Sequence, residues 1–192
     1  MAMGSTTELL RWLQRMLKSF ASSSRMAPLR LLGLNPGRGV IVSKHISWPL
    51  MGLRQINLGD SVTLGPNGWF FIPAGNRLAN ISIGKGTAVG EGFVISSNNN
   101  IRIGDNCLLS YRVSVLDHDH ITGRGVDPVR SGITKGEPIM IGDNTFVGCG
   151  SVILRGVSLG KNCVVGANSV VTRSFEDFSA IAGAPAQLIR QH

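Results

Sequence analysis

The chain has 192 residues, 43% of them hydrophobic and 16% charged, with 25 glycines and a formal net charge of +8. That apolar content excludes a generally disordered chain, and the glycine share is far below the one in three of collagen. No apolar run approaches the roughly 18 residues of a membrane span, and a glycine-rich, aromatic-poor, weakly charged chain favours short strands and tight turns over long helices.

Residues 6–20, TTELLRWLQRMLKSF, carry a helical stripe of Leu9, Trp12, Leu13, Leu17 and Phe20 opposite Glu8, Arg11, Gln14, Arg15 and Lys18. Ser5 with Glu8 reads as a capping box. Such a helix covers an end of the fold, packs on a neighbouring subunit, or docks peripherally on an anionic membrane. Residues 21–39 read as a basic linker, because Pro28, Pro36 and Gly37 discourage regular structure. Residues 1–39 hold six Lys or Arg against Glu8 alone and supply most of the positive charge. A polyanionic partner follows from that charge. With no recognition motif and few aromatics, a specific nucleic-acid partner does not.

From residue 141 the chain falls into hexads: IGDNTF, VGCGSV, ILRGVS, LGKNCV, VGANSV, VTRSFE. An aliphatic residue opens each one, at Ile141, Val147, Ile153, Leu159, Val165 and Val171, and glycine follows in four of the six. The same register occurs at Ile83, Val89 and Ile95, then restarts two residues out of phase at Ile103, Leu109 and Val115. A period of six fits neither a helix nor a long strand. It fits a chain that runs straight, turns a corner and repeats, so that three sides make a triangular coil of about 18 residues. Ile141 should then stack on Leu159, Val147 on Val165 and Ile153 on Val171. A β-sandwich with Gly-rich turns is the competing reading, and sandwiches have no fixed six-residue register.

The expected fold is therefore all-β: a parallel β-helix over residues 40–178 with irregular first coils over 40–80. Residues 121–138, ITGRGVDPVRSGITKGEP, contain no hexad and read as a loop extruded from a corner. Residues 179–192 read as a C-terminal tail that leaves the prism, with Gly183 and Pro185 breaking regular structure.

Just before the loop stands Asp117-His118-Asp119-His120, which holds two of the four histidines. A neutral imidazole can take a proton from a hydroxyl or amine, and a neighbouring carboxylate can orient it. A polar turn with Asp side chains on backbone amides is the plain structural alternative. Cys107, Cys149 and Cys163 match neither a disulfide framework nor a CxxC metal pattern and suit a reducing cytoplasm. Cys107 and Cys163 fall where small buried residues belong, and Cys149 falls at a more accessible position.

These hexads resemble those of the left-handed β-helix, hexapeptide-repeat acyltransferases, clearly over residues 81–190. The resemblance implies the left hand of the coil and a homotrimer. It also implies an enzyme with acetyl-CoA as acyl donor; the cysteine usage points to the cytoplasm, residues 6–20 to at most a peripheral contact at the inner face of the membrane, and no metal is expected. The resemblance implies a histidine base before the loop, best matched by His118, with His120 as the second choice and Asp117 beside them. For the acyl donor it points to Cys149, Gly166, Ala167, Thr172, Arg173 and Arg190. For the acceptor it points to Asn98 and Ser96. Family members often carry Trp where Phe146 stands and Arg where Gln187 stands. The implied reaction is O-acetylation of a sugar hydroxyl in polysaccharide, lipopolysaccharide or capsule synthesis. N-acylation of an amino sugar nucleotide, acetylation of a galactoside, maltose or xenobiotic, and a non-catalytic trimeric scaffold are the alternatives. The zinc-dependent hydratases of this architecture use three histidines, and only His118 and His120 fall in the coils here.

Overall fold

The computed structural model describes residues 22–192, so the helix expected over 6–20, with its membrane-docking alternative, lies outside the described residues. The core follows directly from the hexads. Ile141, Val147, Ile153, Leu159, Val165 and Val171 all point inward and are at most 2% exposed. Ile141 pairs with Leu159, Val147 with Val165 and Ile153 with Val171, as the period demands. Burying each such side chain contributes about 1.5–3 kcal/mol, and the stack runs the length of the molecule.

Three parallel sheets form the faces of a prism. The first face contains Asn35–Pro36, Ile56–Leu58, Asn80–Ile83, Asn100–Ile103, Ile139–Ile141 and Ser158–Leu159. The second contains Ile41–Val42, Thr63–Leu64, Ala88–Val89, Leu108–Leu109, Phe146–Val147, Val164–Val165 and the C-terminal strands Ser179–Gly183 and Ala186–Gln191. The third contains Trp69–Phe71, Val94–Ser96, Ser114–Leu116, Val152–Ile153 and Val170–Val171. Each chain passage visits the faces in that order, so every strand pairs with its equivalent one coil away. The coils over 40–80 are better formed than their sequence suggests: Ile56, Leu58, Val62, Leu64 and Phe70 belong to the same core.

The glycines that follow the inward aliphatics are there because backbones meet. A Cβ on Gly142 would lie 2.5 Å from the carbonyl carbon and oxygen of Gly160 in the next coil. The left-handed corner angle falls elsewhere, at Asn106, Asn144, Asn162 and Asn168, where φ is between 53° and 57°. Asparagine tolerates that region better than other side chains.

Both termini depart from expectation. Residues 22–31 are helical, Pro28 included, where an irregular linker was expected. Met26, Leu29 and Leu34 bury against the first coil, and Gly33 stops the helix at φ +108°, with the N–H of Leu34 bonded to the carbonyl of Leu29 at 2.9 Å. This segment also satisfies the outermost strand. The Val42 N–H donates to Ser22 Oγ at 2.7 Å, and Arg25 Nε donates to the Val42 carbonyl at 3.0 Å. Nor does the tail leave the prism. Ser179–Gly183 pairs in parallel with Val164–Val165 and turns through Gly183 into the antiparallel strand Ala186–Gln191. The breakers Gly183 and Pro185 make a hairpin rather than an exit. Within that hairpin Ala180, Ile181 and Ala186 are buried, while Leu188, Ile189 and Arg190 face outward.

Candidate active site

Between Leu58 and Leu159 the inward apolar residues are six apart at two of the three corners: Leu58 to Leu64 to Phe70, Ile83 to Val89 to Ile95, and so on. Only the corner from the third face to the first breaks the count. The extra residues there are 73–79, the phase slip around Ser97–Asn99, and the loop 121–138. Every surplus residue of these coils is therefore collected along one edge, and the Asp-His-Asp-His sequence lies on it.

The slip at 97–99 builds a receptor for Asp117. Its carboxylate is wholly buried. Oδ1 accepts from the Asn98 N–H at 2.7 Å, and Oδ2 accepts from the Asn99 N–H at 2.9 Å and from Ser97 Oγ at 2.8 Å. His118 Nδ1 lies 2.8 Å from Oδ1. Burial by itself would raise the Asp117 pKa, but the bonds from His118, Asn98, Asn99 and Ser97 outweigh it and hold the carboxyl below its ordinary range. An ionised carboxylate accepts only, so Nδ1 carries a proton and donates, and in the neutral ring the lone pair is on Nε2. The imidazole is 8% exposed, with the Phe71 ring centroid 6.2 Å from its own.

His120 is exposed and pairs as a bridge with Ile133 at the loop base. It borders a cavity of about 530 Å³ with Asp119, Thr134 and Arg155, and no carboxylate orients it among the described residues. The loop is pinned where it returns. The Thr134 N–H donates to the Asp119 carbonyl at 2.8 Å and the Glu137 N–H to the Asp117 carbonyl at 2.7 Å. Arg155, from the following coil, bonds both Asp119 and Glu137.

The remaining candidates fall into separate groups. Ser96 is buried on the rung before His118, and its carbonyl accepts the Asp117 N–H at 3.2 Å. The Asn98 side chain is already engaged: Nδ2 donates to the Thr134 carbonyl at 2.8 Å, and Oδ1 accepts from Asn76 Nδ2 at 2.7 Å. It braces the corner, and its backbone N–H serves Asp117. Thr172 and Arg173 follow the last strand of the third face. Arg173 is exposed, stacks 4.9 Å from the Phe175 ring and donates to Gln187 at 2.9 Å. Cys149, Gly166 and Ala167 stand on a different edge, between the second and third faces. There Cys149 is exposed and borders a cavity of about 390 Å³ with Tyr111, Arg112 and Asn168. Arg190 is exposed on the C-terminal strand of the second face. A single chain thus places the histidine on one edge and Cys149 with Gly166-Ala167 on another, with the third face between them.

Cys107 and Cys163 are buried, and burial pushes both thiols up, which suits packing and not nucleophilic attack. Sequence reasoning did not find Ser97, Thr134, Glu137 or Arg155, and it placed Asn99 in a polar run before His118 without its bond to Asp117. The two-residue phase slip after Ile95 was the available signal for Ser97 and Asn99.

The family model described as the hexapeptide repeat of succinyl-transferase matches residues 138–173. A Mycobacterium tuberculosis protein named as a probable acetyltransferase, Rv3034c, is 30% identical over 139 residues, which are 72% of this chain and 45% of that protein. An Escherichia coli K12 protein named for lipopolysaccharide biosynthesis as the O-acetyl transferase WbbJ is 31% identical over 152 residues, 72% of each chain. The chain therefore spans less than half of the mycobacterial relative and nearly three quarters of the other. Among solved structures, the hexapeptide-repeat acetyltransferase VCA0836 of Vibrio cholerae, in complex with acetyl coenzyme A, superposes with a TM-score of 0.64 at 21% identity. That superposition covers all of this chain and 92% of that one.

Proposed function

The chain belongs to the hexapeptide-repeat acetyltransferase family, and from that premise we propose that it transfers an acetyl group from acetyl-CoA to a sugar hydroxyl, with His118 as general base. The observation that carries this reading is the Asp117–His118 pair. A buried, hydrogen-bonded carboxylate fixes one imidazole tautomer on the edge where the coils collect their surplus residues. His118 Nε2 removes the proton from the acceptor hydroxyl as that oxygen bonds to the acetyl carbon. The thioester supplies the activated acyl group. As its C–S bond breaks, the imidazolium returns the proton to the departing sulfur, so no proton is gained or lost. Asp117 orients the ring and stabilises its transient positive charge. No acyl-enzyme is needed, and the two buried cysteines are not used.

The acyl-donor slot is assembled between two copies of the chain. The His118 edge of one prism faces the Cys149, Gly166 and Ala167 edge of the next, where small side chains leave room beside the backbone for a pantetheine arm. Thr172, Arg173 and Arg190 flank the last coils, where the guanidinium groups meet the nucleotide phosphates. The outward side chains agree with this arrangement. The third face presents Trp69, Val94, Val152 and Val170, and the second presents Leu108, Phe146 and Val164, the latter three 38–48% exposed. Two apolar faces and one polar face suit a closed ring of three chains with parallel axes. The acceptor is a saccharide of polysaccharide or lipopolysaccharide synthesis, in keeping with the name of the E. coli relative.

The test is acetyl-CoA consumption by the full chain against free sugars, oligosaccharides and sugar nucleotides, with mass spectrometry of the product. An ester on a sugar hydroxyl supports the reading. Product only on an amino group, or no turnover with any sugar, overturns it.

A further inference from the structure

A groove of about 1110 Å³ lies on the outside of the first face, and His118 does not line it. Its floor is a ladder in strict register: Asn35 beside Asn57, Asn57 beside Ser82, Ser82 beside Arg102. Alongside runs a second rung pair, Asn80 beside Asn100. The equivalent positions on the other two faces are largely apolar, so this face is built differently and stays free in the trimer proposed above. Its acids stand at one margin. Asp105 and Asp143 are paired there with Lys85 and Lys161. The floor itself is neutral apart from Arg102. Asn35, Asn57 and Asn100 are exposed, and their side chains make no hydrogen bond among the described residues.

Unengaged amides both donate and accept, as sugar hydroxyls do. The groove lacks the basic stripe and aromatics of a nucleic-acid site, and Leu78 is the one exposed large apolar side chain that lines it, short of the row of anchors a docked helix needs. Three ladder steps of about 4.8 Å span roughly 14 Å, comparable to three rings of an extended glycan. The groove also meets the catalytic edge through one residue. Asn99 lines it, accepts the Asn80 N–H on its carbonyl at 2.8 Å, and gives its own N–H to Asp117. We infer that the first face is an acceptor-extension site: it holds the sugars that flank the acetylated unit, so the substrate is an oligosaccharide and not a single sugar. This inference rests on the sugar O-acetylation reading.

The experiment uses the full chain with length-graded gluco-, manno- and galacto-oligosaccharides of one to six units. Turnover with acetyl-CoA is measured alongside calorimetric binding of the same sugars without it. In at least one series KM should fall about tenfold between the monosaccharide and the trimer or tetramer. Ser82→Trp, which fills the groove from an outward position, and the milder Asn57→Ala should flatten that dependence while leaving monosaccharide turnover within about twofold. Equal KM at every length, or a length dependence unchanged in Ser82→Trp, overturns the extension site and leaves O-acetylation standing. If no sugar is turned over, the binding arm still decides. Longer glycans that bind the wild type and not Ser82→Trp support the groove even as the catalytic reading fails, and no binding at any length overturns both.

Discussion

Asp117 Oδ1 receives two bonds at once, from the His118 ring at 2.8 Å and from the Asn98 backbone at 2.7 Å. The base is thereby tied to the corner that precedes it by one coil, and neither residue can shift without the other. His118→Ala should lower turnover by about 10²–10⁴-fold with the fold intact. His120→Ala, lacking such an orienting partner, should stay within a few-fold. CoA release under saturating acetyl-CoA separates the two.

Replacing Asp117 tests stability as well as chemistry. Asp117→Ala leaves the Asn98 and Asn99 N–H groups without their acceptor, while Ser97 Oγ still has the Asn80 carbonyl at 3.1 Å, and a loss of roughly 3–5 kcal/mol is expected from chemical denaturation. Asp117→Asn keeps the shape but can present an amide N–H to Nδ1 and favour the other tautomer. A kcat loss well beyond its loss of stability is the expected signature.

The depressed Asp117 pKa also sets an acid limit. A carboxyl held lower in the folded state than its unfolded value of about 3.9 contributes stability that is complete above that value. The contribution fades as pH falls through the lower, folded value. The stability gap between wild type and Asp117→Asn should therefore close progressively as pH falls below about 4. Denaturant midpoints measured across that range check it.

The coil spacing predicts where a methyl group is not tolerated. In Gly142→Ala the new carbon would fall 2.5 Å from Gly160 backbone atoms, too close without displacing a coil. A cost of about 1–3 kcal/mol is expected, read as a lowered unfolding midpoint.

Ser22→Ala would remove the acceptor of the buried Val42 N–H. A loss of about 1–3 kcal/mol is expected. Faster amide exchange at Val42 would locate the effect.

The prism itself was legible, because inward positions repeat every six residues and, over the regular coils, aliphatics fill them. Ile141 on Leu159 is a direct consequence of period and burial. The histidine and its place before the loop were legible too, since a break in a regular repeat marks itself. What the sequence hid were bonds made by backbone groups. Nothing in the letters Ser97-Asn98-Asn99 says that two amide N–H groups turn toward a carboxylate one coil ahead. Nor does Arg155, inside an ordinary hexad, announce that it spans both ends of the loop. At the termini, local residue preferences misled: Pro28 was outweighed by the burial of Met26 and Leu29, and Gly183 and Pro185 made a bend that kept the chain in the second sheet.

The helix over residues 22–31 and the closing hairpin have a consequence beyond stability. A bare stack of parallel strands with identical spacing is a template onto which further copies can add, as in amyloid growth. With Ser22 and Arg25 bonded to the Val42 backbone at one extremity and an antiparallel strand standing where the next parallel rung would come at the other, the repeat is interrupted at both ends of the second sheet.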